Sequence, residues 1–118
     1  MIVSIHIPKT GGKMWEHLFS GTGLTSGHGF VESKPEGYSF TVIRNPFDRL
    51  VSSFCYAKTF NNFYYKKHPY YERIAGCDFE TFVKALCTFE EHFQLRPQSD
   101  YICDKDDNIL VDHILRYE

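Results

Sequence analysis

The sequence lacks the features that would place it in a specialised class of protein. Among its 118 residues, no apolar run approaches the roughly 20 residues that a membrane-spanning helix needs. No basic segment followed by an apolar one opens the chain, so we expect no signal peptide. Lysine and arginine total 13 and aspartate and glutamate total 15, so the net charge of −2 offers nucleic acid no general attraction. The length favours one globular domain.

Cysteine is present without a metal or redox pattern. The four cysteines, Cys55, Cys77, Cys87 and Cys103, form no C-x-x-C pair, which argues against a zinc knuckle or a thioredoxin-type site. In an oxidising compartment four cysteines could form two disulfide bonds. Because no secretion signal is evident, we expect four thiols instead.

The order of the predicted elements is typical of an α/β fold. Residues 1–7 and 38–44 have the composition of strands, and residues 111–117 predict a third core strand. Helices are expected over 13–20, from Pro46 onward and over 78–87. One apolar stripe predicts the buried face of the second helix: Phe47, Leu50, Val51, Phe54 and Cys55. The series predicts a parallel sheet flanked by helices.

The first segment with chemical character is HIPKTGG, at residues 6–12. A strand runs into a turn of small residues, and a helix follows. Gly11 and Gly12 let the backbone approach an anion closely, and Lys9 supplies a mobile positive charge. The lysine precedes the glycines, so the spacing is not that of the Walker motif. An ordinary tight turn is the alternative.

The second segment is RNPFDRLVS, at residues 44–52. Arg44 ends a predicted strand, where α/β proteins collect their ligands. Ser52 falls outside the apolar stripe of the helix that Pro46 begins. A guanidinium and a hydroxyl group near one helix start can hold a second anion. Alternatively, Arg44 pairs with Asp48 and Ser52 is merely exposed.

Together, HIPKTGG and TVIRNPFDRLVSS resemble the sulfotransferases that use 3′-phosphoadenosine 5′-phosphosulfate (PAPS), and most closely the branch that modifies carbohydrates. In that family the first segment binds the 5′-phosphosulfate. The second binds the 3′-phosphate through an arginine and a serine eight residues later, which is the spacing of Arg44 and Ser52. GHGF, RPQSDYI and VDHILRYE are similar to further family segments. The resemblance implies a P-loop-like three-layer fold with a small central parallel sheet.

The resemblance also implies a mechanism in which PAPS, as donor cofactor, passes its sulfuryl group to a hydroxyl acceptor. Lys9 would stabilise the leaving oxygen, and His28 would take the acceptor's proton; His6 is the alternative base, or a residue that orients the loop. No metal ion is implied. The implied cofactor-binding residues are Lys9, Thr10, Gly11, Gly12, Lys13, Met14, Arg44 and Ser52. Lys13 and Met14 depart from the family, which usually has threonine and a small polar residue there.

The implied acceptor is a carbohydrate or another small hydroxyl compound. Lys66, Lys67 and His68, among aromatic residues over 60–71, are candidates for its recognition, with a flap of solvated charges as the alternative. We expect residues 1–118 to form one minimal sulfotransferase-like domain in the cytoplasm, without nucleic-acid or membrane partners; a homo-oligomer is left open. Two other functions are considered: a non-catalytic module that binds PAPS or 3′,5′-ADP, and a P-loop kinase relative.

Overall fold

A computed structural model describes residues 1–22, 24–27, 29–59, 74, 76–85 and 94–118, with the backbone alone for residues 25–27. The chain divides into two compact units. The first comprises Met1–Asn45 and Pro97–Glu118, and the second comprises Pro46–Arg96. The described residues form a parallel sheet together with helices, so the α/β class predicted from the sequence is confirmed.

The first unit is built on a parallel sheet. Its four strands are β1 (Ile2–Ile5), β2 (Thr25–Gly27), β3 (Tyr38–Ile43) and β4 (His113–Arg116), in the order β2-β1-β3-β4. Ile5 pairs with Gly27 on one side and Thr41 on the other, and Ile43 pairs with Arg116. Because all strands are parallel, the segments that follow β1 and β3 leave the sheet at the same end, beyond the carboxyl ends of the strands. This is where α/β folds bind their ligands.

The core of this unit joins the sheet to a segment late in the chain. Ile5, Ile7 and Val111 pack with Tyr101 and Ile102, which lie on the short helix α4. Four helices are described in the two units: α1 (Gly12–Leu18), α2 (Pro46–Thr59), α3 (Phe79–Lys84) and α4 (Ser99–Ile102). Helix α1 buries no residue completely.

The second unit has its own small core. Ala57 of α2, Phe82 of α3 and Ile74 are buried together. Asp78, the first residue of the helix predicted over 78–87, caps α3, because its carboxylate accepts a hydrogen bond from the Thr81 amide at 2.8 Å. That bond lowers the pKa of Asp78. Helix α2 begins at Pro46, which is the place predicted for a proline at the first helical position.

The predicted buried face of α2 is wrong for three of its five residues. Phe47 is 77% exposed, Val51 is 45% exposed, and Cys55 is exposed as well. The buried residues are Arg49, Ser53 and Ala57, which recur every four positions. Serine and alanine are small enough to sit deep in a packed face, and Arg49 is held there by donating to the Arg96 carbonyl at 2.9 Å. The other two residues of the predicted face, Leu50 and Phe54, are partly buried and pack against the core.

Three smaller expectations also needed correction. Strand β2 and helix α4 lie in stretches for which the sequence predicted neither a strand nor a helix among those given above. Strand β4 forms as predicted, but it lies at an edge of the sheet, where its residues are half-buried or exposed. Three of the expected thiols, Cys55, Cys77 and Cys103, are free, and Cys87 lies outside the described residues.

Candidate anion-binding site

The loop that follows β1 is tight and conformationally unusual. Lys9 has φ 69° and Gly11 has φ 85°, so both adopt the left-handed region. Glycine does this without steric cost, whereas a lysine held there costs on the order of 1 kcal/mol. Thr10 is 2% exposed, and its hydroxyl donates to the Ile7 carbonyl at 2.8 Å. The loop is therefore held in one shape, with a strained lysine at its turn.

Gly12 is required by what lies against it. A Cβ atom at this position would overlap the imidazole ring of His6. His6 is 9% exposed, and its Nδ1 lies 3.9 Å from Glu16 Oε1 on α1. The ring thus fills the space of a side chain at position 12 and supports the loop from within. This geometry favours a role for His6 in orienting the loop over a role as the catalytic base.

Arg44 reaches the same loop from the end of β3. Its Nη1 donates to the Lys9 carbonyl at 3.3 Å. The side-chain amide of Gln98 makes two hydrogen bonds to the backbone of Arg44. The Arg44 N–H donates to Gln98 Oε1 at 2.9 Å, and Gln98 Nε2 donates to the Arg44 carbonyl at 2.7 Å. Two of the segments singled out in the sequence therefore meet, and the backbone of Arg44 is held on both sides.

The two residues after β4 complete the surroundings of Arg44. Tyr117 N–H donates to the Ile43 carbonyl at 2.7 Å, and the Arg44 Cζ lies 4.4 Å from the centroid of the tyrosine ring. Glu118 Oε1 accepts from Asn45 N–H at 2.5 Å. That bond lowers the pKa of Glu118, and the positive charge of Arg44 acts in the same direction.

The start of α1 lies directly after the loop. Lys13 and Met14 are exposed there, and no acidic residue occupies the first turn. Met14 N–H donates to the Gly11 carbonyl at 3.0 Å, so this amide is engaged within the turn. The N–H groups of Gly12 and Lys13 belong to the first helical turn, where intrahelical acceptors are missing.

The roles of the other predicted site residues stay predictions. Ser52 lies half-buried on α2 in the second unit, so its pairing with Arg44 stays a prediction. His28, Lys66, Lys67 and His68 lie outside the described residues, and their roles stay predictions too.

Sequence reasoning missed the roles of Gln98 and Tyr117. Both lie within segments whose family resemblance was noted, RPQSDYI and VDHILRYE, but nothing local indicated that they hold Arg44. Among the described residues, no group of three histidine, cysteine, aspartate or glutamate side chains is placed to hold a metal ion.

Comparison with known protein families gives a match. The model of the sulfotransferase family matches residues 25–118, a range that includes Arg44, Ser52 and Tyr117 and begins after the Lys9 loop. No curated protein and no solved structure matches the chain. In the described part of the chain, no helix has both the length and the apolar character needed to cross a membrane. Since the match covers well over half of the sequence, the chain belongs to the sulfotransferase family.

Proposed function

We propose that this sulfotransferase uses PAPS as donor and transfers its sulfuryl group to a hydroxyl of a carbohydrate. The observation that carries the proposal is the meeting of Lys9 and Arg44, which are 35 residues apart in sequence, at one tight loop. Two cations beside glycines at the carboxyl edge of a parallel sheet suit a ligand with two phosphate groups. The succession of strand, glycine turn and helix supports a P-loop-like interpretation of the first unit.

The residues of the loop divide the binding of the donor between them. Lys9 would contact the 5′-phosphosulfate, and Arg44 with Ser52 would hold the 3′-phosphate, as in the family. The hydrogen bond from Arg44 to the Lys9 carbonyl supports the assignment of both residues to one ligand. Thr10 would contribute mainly through its backbone, because its hydroxyl hydrogen is already donated to Ile7. The other residues that would line the donor site are Gly11, Gly12, Lys13 and Met14.

The reaction is an in-line displacement at sulfur. The acceptor oxygen forms a bond to sulfur while the bond between sulfur and the bridging phosphate oxygen breaks, and the products are a sulfate ester and 3′,5′-ADP. Lys9 would stabilise the negative charge that develops on the leaving oxygen. His28 would accept the hydroxyl proton, a role that suits an imidazole because its ordinary pKa lies near 6.5.

A transfer assay tests this function. With PAPS labelled in its sulfuryl group and a panel of oligosaccharides, we expect the unmodified chain to label at least one acceptor. Lys9→Ala and His28→Ala should each lower the rate at least about 100-fold. Lys105→Ala is the control for the lysine, since it removes an exposed positive charge from a turn, and its rate should not change.

Two results would contradict the proposal. If 3′,5′-ADP binds but no acceptor is labelled under any condition, the chain is a binding module without turnover. If ATP binds best and is hydrolysed with Mg²⁺, the chain is a kinase relative instead.

A further inference from the structure

The guanidinium group of Arg44 lies over the ring of Tyr117, the residue that follows β4. We propose that Tyr117 is a positioning residue whose ring holds Arg44 against the loop formed by Lys9–Gly12, and so sets how tightly the donor nucleotide binds. This inference rests on the proposed function, because it assumes that Arg44 binds a phosphate group of the donor.

The backbones of both residues are fixed by hydrogen bonds. Tyr117 follows β4 directly, and its N–H donates to the Ile43 carbonyl at 2.7 Å, which extends the pairing of β4 with β3 by one step. Arg44 follows β3 directly, and Gln98 holds its N–H and carbonyl groups. The tyrosine ring and the guanidinium therefore approach each other from neighbouring parallel strands rather than from loose loops.

The ring fits because of a glycine. A Cβ atom at Gly11 would lie 3.0 Å from Tyr117 Cε2 and 3.3 Å from Cδ2, and the left-handed backbone at Gly11 also disfavours a side chain. The Tyr117 side chain is 46% exposed, yet its ring contacts both Gly11 and the guanidinium of Arg44. The Tyr117 ring thus lies between the loop and the guanidinium group of Arg44.

Little else restrains the arginine side chain. Its one hydrogen bond to a described residue runs from Nη1 to the Lys9 carbonyl at 3.3 Å. Its Nε is buried and has no acceptor among the described residues. The nearby Glu118 carboxylate is engaged by the Asn45 amide. Without the ring, Arg44 would gain alternative rotamers, and binding a phosphate would have to restrict them again.

The test compares three variants by calorimetric titration with 3′,5′-ADP. Tyr117→Leu removes the ring face and should weaken binding about tenfold, whereas Tyr117→Phe keeps the face and should bind like the unmodified chain. Tyr38→Leu is the matched control, because Tyr38 is 52% exposed at the opposite end of β3. If Tyr117→Leu fails to fold, Tyr117→Met replaces it, since methionine has similar bulk and no ring.

The possible outcomes separate this inference from the proposed function. If the unmodified chain binds 3′,5′-ADP and Tyr117→Leu binds equally well, the inference is overturned and the function stands. If the unmodified chain binds no 3′,5′-ADP, the proposed function fails. NMR of the nucleotide-free proteins then decides whether Tyr117 positions Arg44. The Arg44 Nε–Hε and Gly11 amide resonances should shift in Tyr117→Leu and stay in place in Tyr38→Leu. Unshifted resonances in Tyr117→Leu overturn the inference.

Discussion

At the scale of single residues, the glycines of the loop are explained first by packing. The sequence motif indicates glycines that let an anion approach the backbone. The structure shows that the two positions also admit the rings of His6 and Tyr117, one at Gly12 and the other at Gly11. The motif could predict that the glycines matter, but not these contacts, because both depend on how the strands are placed in the sheet.

Gly12→Ala should destabilise the protein by about 1–3 kcal/mol, because the added methyl group overlaps the His6 ring. Gly29→Ala is the control, since a Cβ there meets nothing within 4 Å. Urea denaturation measures both free energies of unfolding. When His6 is already alanine, adding Gly12→Ala should cost clearly less. An equal cost in both backgrounds would show that the ring is not what excludes a side chain at position 12.

At the scale of elements, the sequence predicts the positions of most helices and strands well. It predicts less well which face of an element is buried. The start of α2 follows from Pro46 and the cap of α3 from Asp78, because both signals are local. The buried face of α2 could not be read from its apolar pattern. It is formed by Arg49, Ser53 and Ala57, whose burial depends on neighbours distant in sequence.

The rotated face of α2 gives a direct prediction. Ala57→Asp should lower the free energy of unfolding by about 2 kcal/mol or more, because it places a carboxylate at a position that is 5% exposed within a core. Val51→Asp, on the same helix at a position 45% exposed, should change it by less than about 0.5 kcal/mol. Urea melts of the two variants measure this difference. A reversed order would restore the face predicted from the sequence.

The start of β4 is tied to β3 by Asp112. Its carboxylate pairs with Lys34 Nζ at 2.5 Å and accepts from Ser39 N–H at 2.8 Å and Ser39 Oγ at 3.1 Å. The bond to Lys34, followed by the Ser39 amide, lowers the pKa of Asp112 to about 2. Because the folded pKa lies below the ordinary value of about 3.9, this carboxylate stabilises the fold above that value and loses its contribution as the pH falls toward 2.

Asp112→Asn should therefore flatten the fall in melting temperature between pH 5 and about pH 2. The variant should be less stable than the unmodified chain at neutral pH, and the two should converge in acid. Asp106→Asn, which removes an exposed carboxylate from the turn before β4, is the control. Parallel curves for Asp112→Asn and the unmodified chain across this range would show that the carboxylate is not coupled to folding. Thermal melts at a series of pH values provide the measurement.

At the scale of the whole molecule, the residues that match the sulfotransferase family are distributed over two compact units. The family match spans segments of both units. The Lys9 loop lies before the matched range and is linked to it by the hydrogen bond from Arg44 to the Lys9 carbonyl. The sequence predicted that both segments bind anions, since strand ends and glycine turns are local signals. It could not show that Gln98 and Tyr117 fix Arg44, because those contacts join segments more than 50 residues apart.

The most direct test of the central claim is a calorimetric titration of the unmodified chain with 3′,5′-ADP and, in parallel, with 5′-ADP. The two ligands differ only by the 3′-phosphate that Arg44 is proposed to hold. We predict that 3′,5′-ADP binds at least about tenfold more tightly, and that at about 100 times its Kd it adds roughly 2.7 kcal/mol of stability. Equal affinity for the two nucleotides, or no binding of either, would contradict a PAPS site at this loop.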